Sequence, residues 1–115
     1  MATAKTTSSK NIIEWAPFEL AEGVSDETLL KASNTFQNEF VNAQKGFIRR
    51  ELLKGKDGQW VDLIFWESKE DAEKVMENVE SSDACRAFFQ IMKAAAPNDP
   101  GAGVLHFEHI KSYKP

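Results

Sequence analysis

The sequence predicts an α+β fold in which a four-stranded antiparallel sheet carries helices on one face. Three observations indicate this fold. Two runs of branched and aromatic residues flank Gly55-Lys56-Asp57-Gly58, which is typical hairpin turn chemistry. Helical patterns of apolar residues lie on both sides of this hairpin. The strands also lack a polar face, so both faces of the sheet need a covering layer.

The first strand and the first helix are predicted within residues 11–46. The strand covers 11–20, NIIEWAPFEL, and Pro17 is expected where the strand ladder is unpaired because it has no N–H. Ser25 can cap the helix that follows, and Gly46 can end it. One helical stripe collects the apolar residues Leu29, Ala32, Phe36, Phe40 and Ala43.

The second half of the chain begins with hairpin strands at 47–54 and 59–67. Ser68, with Asp71 three residues later, starts a second helix. Ser81-Ser82-Asp83 interrupts this helix, and a second start there leads into another helical segment. A loop is predicted at 97–101, and a final strand at 104–113. Residues 1–9 are small and polar and are expected to form a disordered tail, which leaves 10–115 as a single domain.

The resulting order, β-α-β-β-α-(α)-β, matches the ferredoxin-like arrangement. In the third strand one face carries Trp60, Ile64 and Trp66, and the other carries Val61, Leu63 and Phe65. Helices can cover only one of these faces. A second copy of the sheet is the simplest cover for the other, so the pattern predicts a symmetric homodimer.

Composition excludes several classes of protein. The chain has 115 residues and a net charge of −4 without a basic stripe, so nucleic-acid binding is not expected. No apolar run approaches the ~20 residues needed to span a membrane. The N-terminal residues lack an apolar signal core, which predicts a cytoplasmic location. Cys85 is the single cysteine, so no internal disulfide or cysteine-based zinc site is expected, and nothing else has metal-ligand spacing.

Over about residues 11–113 the chain resembles the antibiotic biosynthesis monooxygenase-like group of the dimeric α/β-barrel superfamily. The resemblance rests on element order, on Gly46-Phe47 opening the hairpin, on Trp66-Glu67-Ser68 at the strand-to-helix junction and on Phe88-Phe89. It implies a ferredoxin-like protomer that dimerises through its sheet. Some members are cofactor-free oxygenases acting on polycyclic phenols, some bind or degrade heme, and many have no assigned activity.

Heme degradation is not expected from this resemblance. In heme-degrading members a tryptophan at the position of Trp66 lines a pocket between sheet and helices. An asparagine of the first strand and a histidine of the second helical segment complete that site. The asparagine position falls near Ala16, and residues 68–96 contain no histidine. No cofactor is therefore predicted.

The candidate site residues lie on one face of the third strand. Trp60, Asp62 and Trp66 alternate there, and Phe88 could form the roof of a pocket above them. Aromatic surfaces beside a buried carboxylate suit an aromatic, oxygenated substrate. Within such a pocket Asp62 could have a raised pKa and act as a base.

The hairpin register decides which arginine joins this face. If the strands pair symmetrically about Lys56-Asp57, Arg49 and Glu51 lie beside Asp62. If the turn adds one residue, the parity reverses and Arg50 replaces Arg49. The alternative to a catalytic role is that Arg49 pairs with Glu51 or Asp62 as a structural ion pair across the strands.

Three further reactive residues have less specific interpretations. His106 and His109 are three residues apart in the last strand and lie on opposite faces, so they cannot ligate one metal together. Each is either a hydrogen-bonded structural residue or a catalytic one. Cys85 is interpreted as a buried, small apolar residue.

Two main functions remain open from the sequence, and heme binding is a third, weaker alternative. The first is a cofactor-independent monooxygenase acting on a small aromatic or quinone-type substrate, with Asp62 and Arg49 as catalytic groups and Trp60, Trp66, Phe88 and Glu51 as binding residues. The second is a non-catalytic, dimeric module that binds a small apolar ligand or has a stress-related role. A cavity of roughly 300 Å³ or more beside Trp66 favours a ligand site, whereas a filled core favours the module.

Overall fold

The computed structural model describes residues 10–93 and 103–115. Within them lie seven helices and strands: β1 Ile12–Glu19, α1 Asp26–Glu39, β2 Phe47–Lys54, β3 Gln59–Trp66, α2 Lys69–Asn78, α3 Asp83–Gln90 and β4 Leu105–Glu108. This is the predicted order. The expected tail at 1–9 and loop at 97–101 lie outside the described residues.

The strands form one antiparallel sheet in the order β2-β3-β1-β4. This order confirms the ferredoxin-like arrangement. β4 is shorter than the predicted strand, and it pairs only with Ile12–Trp15 of β1. Pro17 pairs with Val61 of β3 but lies beyond the β4 pairing. Its missing N–H therefore falls where the described part of the ladder ends.

Serine side chains cap the three helices at the predicted starts. Ser25, Ser68 and Ser82 each accept a hydrogen bond of 3.1 Å from the backbone N–H three residues later, which belongs to Thr28, Asp71 and Cys85. These bonds satisfy backbone donors that the first turn of a helix leaves without a partner. A 3₁₀ turn at Val79–Ser81 separates α2 from α3, so the helical segment is interrupted where the sequence indicated.

The core lies between the helices and one face of the sheet. Its largest fully buried side chains come from both layers: Trp66, Phe88, Leu29, Val41 and Cys85. Cys85 is therefore a buried residue, as the sequence indicated, and burial raises the pKa of its thiol. Trp66 extends from the end of β3 into this layer and packs edge-on against Phe47.

The opposite side of the sheet, here called the open face, is largely apolar and has no covering layer among the residues that the structure describes. Its large apolar side chains include Trp15, Leu53, Val61, Leu63, Phe65, Leu105 and Phe107, and Arg49 and Glu51 of β2 lie on the same face. Trp15 is 38% exposed and Phe107 is 52% exposed. The two-sided apolar sheet expected from the sequence is therefore present. No helix within the described segments has the length and apolar character that a membrane crossing requires.

The hairpin turn sets a register that differs from the symmetric one. Asp57 and Gly58 have positive φ angles of 55° and 79°. The Gly55 N–H donates a hydrogen bond to the Gln59 carbonyl at 2.7 Å, so the loop between the paired strands consists of the three residues 56–58. Pairing about Lys56-Asp57, which would place Arg49 and Glu51 beside Asp62, is therefore wrong.

The extra turn residue reverses the parity of β2. Arg50 lies on the helix-covered face opposite Ile64, next to the Leu52–Asp62 pair. Arg49 lies opposite Phe65 and belongs to the open face. The alternative register, in which Arg50 replaces Arg49, is the observed one.

Candidate functional site

A cavity of about 200 Å³ lies between the helix-covered face of the sheet and the three helices. The sheet contributes Glu14, Asp62, Ile64 and Trp66, and the helices contribute aromatic and aliphatic side chains that include Phe36, Val75 and Phe88. Among the described lining residues only Glu14 and Asp62 are charged. The cavity therefore has an apolar, aromatic wall and two carboxyl groups on its sheet side.

Three of the six predicted site residues line this cavity, namely Asp62, Trp66 and Phe88. Trp60 is buried on the same strand face but stacks on Phe18, with ring centroids 6.3 Å apart, and does not line the cavity. Arg49 and Glu51 bond each other at 3.2 Å on the open face. The structure therefore brings half of the predicted set together and separates the rest.

Arg50 binds Asp62 through two hydrogen bonds. Its Nε donates to Oδ1 at 2.7 Å and its Nη2 donates to Oδ2 at 2.9 Å. The remaining guanidinium N–H groups reach the Ser33 side chain, the Ser33 carbonyl and the Gln37 side chain at 2.8–3.3 Å. Every donor of this guanidinium is thus engaged. Burial raises the pKa of Asp62, and the hydrogen bonds and charge of Arg50 oppose that effect.

Glu14 is the second carboxyl group, and it extends from β1 into the same layer. It is 7% exposed. The indole Nε1 of Trp66 donates to its Oε1 at 3.1 Å, and His106 Nε2 lies 3.7 Å from the same oxygen. Burial raises the pKa of Glu14, whereas the Trp66 bond and the nearby His106 lower it and Asp62 raises it further. Glu14 is therefore a buried carboxyl group without an arginine partner among the described residues.

Sequence reasoning missed Glu14 and its contact with His106. Glu14 was visible as a single acid on the same strand face as Ile12, Ala16 and Phe18, which is a weak sign of a buried polar group. His106 faces Glu14 because the two residues are paired partners of β4 and β1. This pairing joins distant parts of the chain. His109 follows β4 and bonds Ser112 at 2.9 Å.

A wider depression of about 390 Å³ lies near the end of α1, where Glu39, Gln44, Asn78 and Ser82 contribute to its walls. Gln44 and Asn78 bond each other across it at 2.9 Å. Its lining is largely polar and open to solvent, which suits water rather than an apolar ring. The candidate site is therefore the cavity beside Trp66.

Comparison with known proteins supports the fold. No protein-family model matches the chain, and no curated protein matches it. Solved structures do. A candidate antibiotic biosynthesis monooxygenase from Bordetella bronchiseptica has a TM-score of 0.70 at 10% identity, with 89% of this chain and 99% of that chain covered.

Two further structures carry functional descriptions. SnoaB, a cofactor-independent oxygenase from Streptomyces nogalater, has a TM-score of 0.64 at 14% identity over 90% of this chain and 97% of its own. A heme-degrading protein from Mycobacterium tuberculosis has a TM-score of 0.58 at 17% identity over 94% of this chain and 100% of its own. The chain therefore has the fold of the antibiotic biosynthesis monooxygenase-like proteins, as its resemblance implied.

Proposed function

We propose that this protein is a cofactor-independent monooxygenase that acts on a small aromatic, quinone-type substrate in the cavity between sheet and helices. One observation carries the proposal. An apolar cavity with aromatic walls contains two buried carboxyl groups, Glu14 and Asp62, on one side. Ligand sites typically combine apolar walls with a few polar groups that orient the ligand.

The volume of the cavity limits the size of the substrate. The cavity volume of about 200 Å³ is below the usual range of ligand-pocket volumes, whose lower end is roughly 300 Å³. An apolar cavity of about 150 Å³ nevertheless accommodates benzene. The proposed substrate is therefore a single substituted ring, such as a phenol or a hydroquinone, rather than a polycyclic compound.

The proposed chemistry needs little from the protein because the substrate supplies the electrons. A phenol made electron-rich by a second oxygen substituent, as in a hydroquinone, can reduce O₂ once it loses an O–H proton. One oxygen atom forms a carbonyl at a ring carbon, and the other leaves as water with the two hydrogens from the O–H and C–H bonds. The cavity would contribute a proton acceptor, a fixed ring orientation and an apolar wall that excludes water. SnoaB supports the assignment because it is a cofactor-independent oxygenase with this fold.

A non-catalytic module that binds a small apolar ligand is the second candidate. Two observations favour it. The predicted base, Asp62, is already bound by Arg50, and the cavity is smaller than a typical ligand pocket. The module would bind the same single-ring compounds without consuming oxygen.

For either function we propose a homodimer that covers the open face. The apolar side chains of β1, β3 and β4 would then pack against the open face of a second copy. Two-fold symmetry means that both copies use the same surface. Phe107 and Leu105, which are about half exposed in one chain, would become buried. An uncovered apolar patch of this kind marks an interaction surface.

Oxygen uptake by the chelator-treated protein, without added flavin, tests the proposed reaction. A panel of one-ring phenols and hydroquinones would be supplied. Oxygen consumption is expected to be faster with the protein than without it, and a quinone should form. Val79 lines the cavity, so Val79→Phe should fill it and abolish uptake. Leu30 is 50% exposed on α1, so Leu30→Phe is the matched control that should retain it. Ring binding without any oxygen uptake would favour the non-catalytic module.

A further inference from the structure

We infer that Glu14 is the group that accepts the hydrogen bond or proton of a ring hydroxyl in this cavity, and that His106 is a positioning residue that favours the ionised form of Glu14. The inference deepens the proposed function and rests on it for its catalytic meaning. The ligand class follows from the site: a single aromatic ring that bears a hydroxyl group.

Asp62 is a poor acceptor because Arg50 already binds both of its oxygens. The two bonds, at 2.7 and 2.9 Å, fix the carboxylate against the sheet. Protonation of Asp62 would weaken both bonds and leave a buried guanidinium without its counter-charge, which is costly. A ligand proton would therefore move to a group whose protonation breaks no ion pair with arginine.

Glu14 meets this requirement. The Trp66 indole fixes its Oε1 at 3.1 Å, and no donor reaches its Oε2 among the described residues. The side chain of Glu14 lines the cavity and keeps 10% of its surface exposed. A carboxyl group with one oxygen fixed and the other available is suited to accept a hydrogen bond in a defined direction. Burial also raises its pKa toward the range useful for a base.

His106, on the neighbouring strand β4, is a residue close to Glu14 that can carry a positive charge. Its Nε2 lies 3.7 Å from Glu14 Oε1, and its side chain is 33% exposed at the sheet edge. A protonated imidazole at that distance favours the carboxylate form of Glu14.

The other charged groups that face Glu14 come from the sheet. Asp62 on β3, with Arg50 behind it, and Glu108 on β4 belong to the same face. The lining residues from α1, α2 and α3 are apolar, and they include Phe36, Val75 and Phe88. Among the described residues His106 is therefore the one side chain near Glu14 that can carry a positive charge.

A titration tests the link between the two residues. Protein labelled with ¹³C at the glutamate carboxyl carbons would be titrated by NMR, and Glu14→Gln would assign the Glu14 signal. His106→Gln should shift the Glu14 titration to higher pH because the imidazolium is lost. His109→Gln is the matched control and should leave it unchanged, since His109 bonds Ser112 instead. An unchanged Glu14 titration in His106→Gln would overturn the role of His106.

Binding of two ligands of nearly equal shape tests the acceptor. At a pH where the titration shows Glu14 ionised, the protein should bind p-cresol about tenfold or more tightly than p-xylene, which has a methyl group in place of the hydroxyl. Glu14→Leu should abolish this preference. Glu14→Gln keeps the shape of the residue and should weaken the preference, since a neutral amide is the weaker acceptor. Glu108→Gln, at an exposed acid of the same strand face, should retain it.

The outcomes separate this inference from the proposed function. Equal affinity for the two ligands, or a preference that survives both Glu14 substitutions, would overturn the assignment of Glu14 whatever oxygen uptake shows. A preference that depends on Glu14 supports the assignment. If one-ring phenols bind in this way but no oxygen is consumed, the oxygenase function fails and Glu14 remains the ligand-orienting residue.

Discussion

Arg50 binds both oxygens of Asp62 beneath two aromatic rings. The guanidinium carbon lies 4.9 Å from the centre of the Phe36 ring and 5.4 Å from that of Phe88. Its side chain is 7% exposed and that of Asp62 is 5% exposed. The pair therefore connects β2 and β3 to α1 and α3 from inside the core, at the edge of the candidate cavity.

Arg50→Lys should destabilise the protein by about 2–4 kcal/mol. Lysine retains the charge but cannot bind both Asp62 oxygens and Ser33 together, so buried polar groups lose partners. Arg49→Lys is the matched control at the adjacent position. Its side chain is 58% exposed, and the expected cost is below about 1 kcal/mol. Urea unfolding of both variants measures the difference, and similar costs would contradict the observed register.

The stability contributed by Glu14 should decrease as pH rises. Burial raises the pKa of Glu14 above its ordinary value of 4.5 in the folded state, so the folded protein binds this proton more tightly than the unfolded chain. The contribution is complete below 4.5 and is lost as pH rises through the raised pKa.

Glu14→Gln removes this titration from the folded protein. The free energy of unfolding of Glu14→Gln, relative to the original protein, should therefore increase as pH rises above 4.5. Urea unfolding at a series of pH values measures it. Glu108→Gln, at an exposed carboxyl of the same face, serves as the control. A difference that stays constant with pH would show that Glu14 is not protonated preferentially in the folded state.

Leu63→Glu should convert a dimer into a monomer. Leu63 lies at the centre of the open face between Trp15 and Glu51, and a buried, unpaired carboxylate there is unfavourable. Light scattering should give about twice the chain mass of 12.9 kDa for the original protein and one chain mass for the variant. Leu30→Glu, on the exposed side of α1, should remain dimeric. A monomeric original protein at micromolar concentration would refute the proposed assembly.

Gly46→Ala should cost more stability than Gly23→Ala, although both glycines have nearly the same backbone angle. Their φ values are 83° and 84°, so each substitution pays about 1–2 kcal/mol for a left-handed conformation. A Cβ at Gly46 would also overlap the Asp71 side chain, whereas nothing lies within 4 Å of one at Gly23. Chemical unfolding measures both costs. Asp71→Ala removes the two nearest overlapping atoms but keeps the Asp71 Cβ, so it should reduce the excess cost at Gly46, and an undiminished excess would exclude this contact as its cause.

Local patterns predicted most of the fold. The three serine caps and the hairpin strands follow from rules that involve only residues near each other in the chain. The hairpin register did not follow from these rules. A two-residue loop, Lys56-Asp57, and a three-residue loop, 56–58, are both compatible with the turn sequence Gly55–Gly58. One additional loop residue exchanged Arg49 for Arg50 at the site.

Local patterns predicted only part of the candidate site. Trp66 and Phe88 are large apolar residues in regular elements, so their helix-covered positions follow from periodicity. Trp60 has the same periodicity but packs against Phe18, since the position of the cavity along β3 depends on how the helices cross the sheet. No pattern within a short stretch of sequence predicts how the helices are placed across the sheet.

The sequence by itself determined the order of the strands and helices, their starting points and the apolar character of both sheet faces, because turns, caps and side-chain periodicity are local properties. Tertiary structure alone decided that Arg50 neutralises Asp62 and that Glu14 meets Trp66 and His106. These contacts join residues from different strands, and their geometry depends on strand register and on burial by helices far away in the chain.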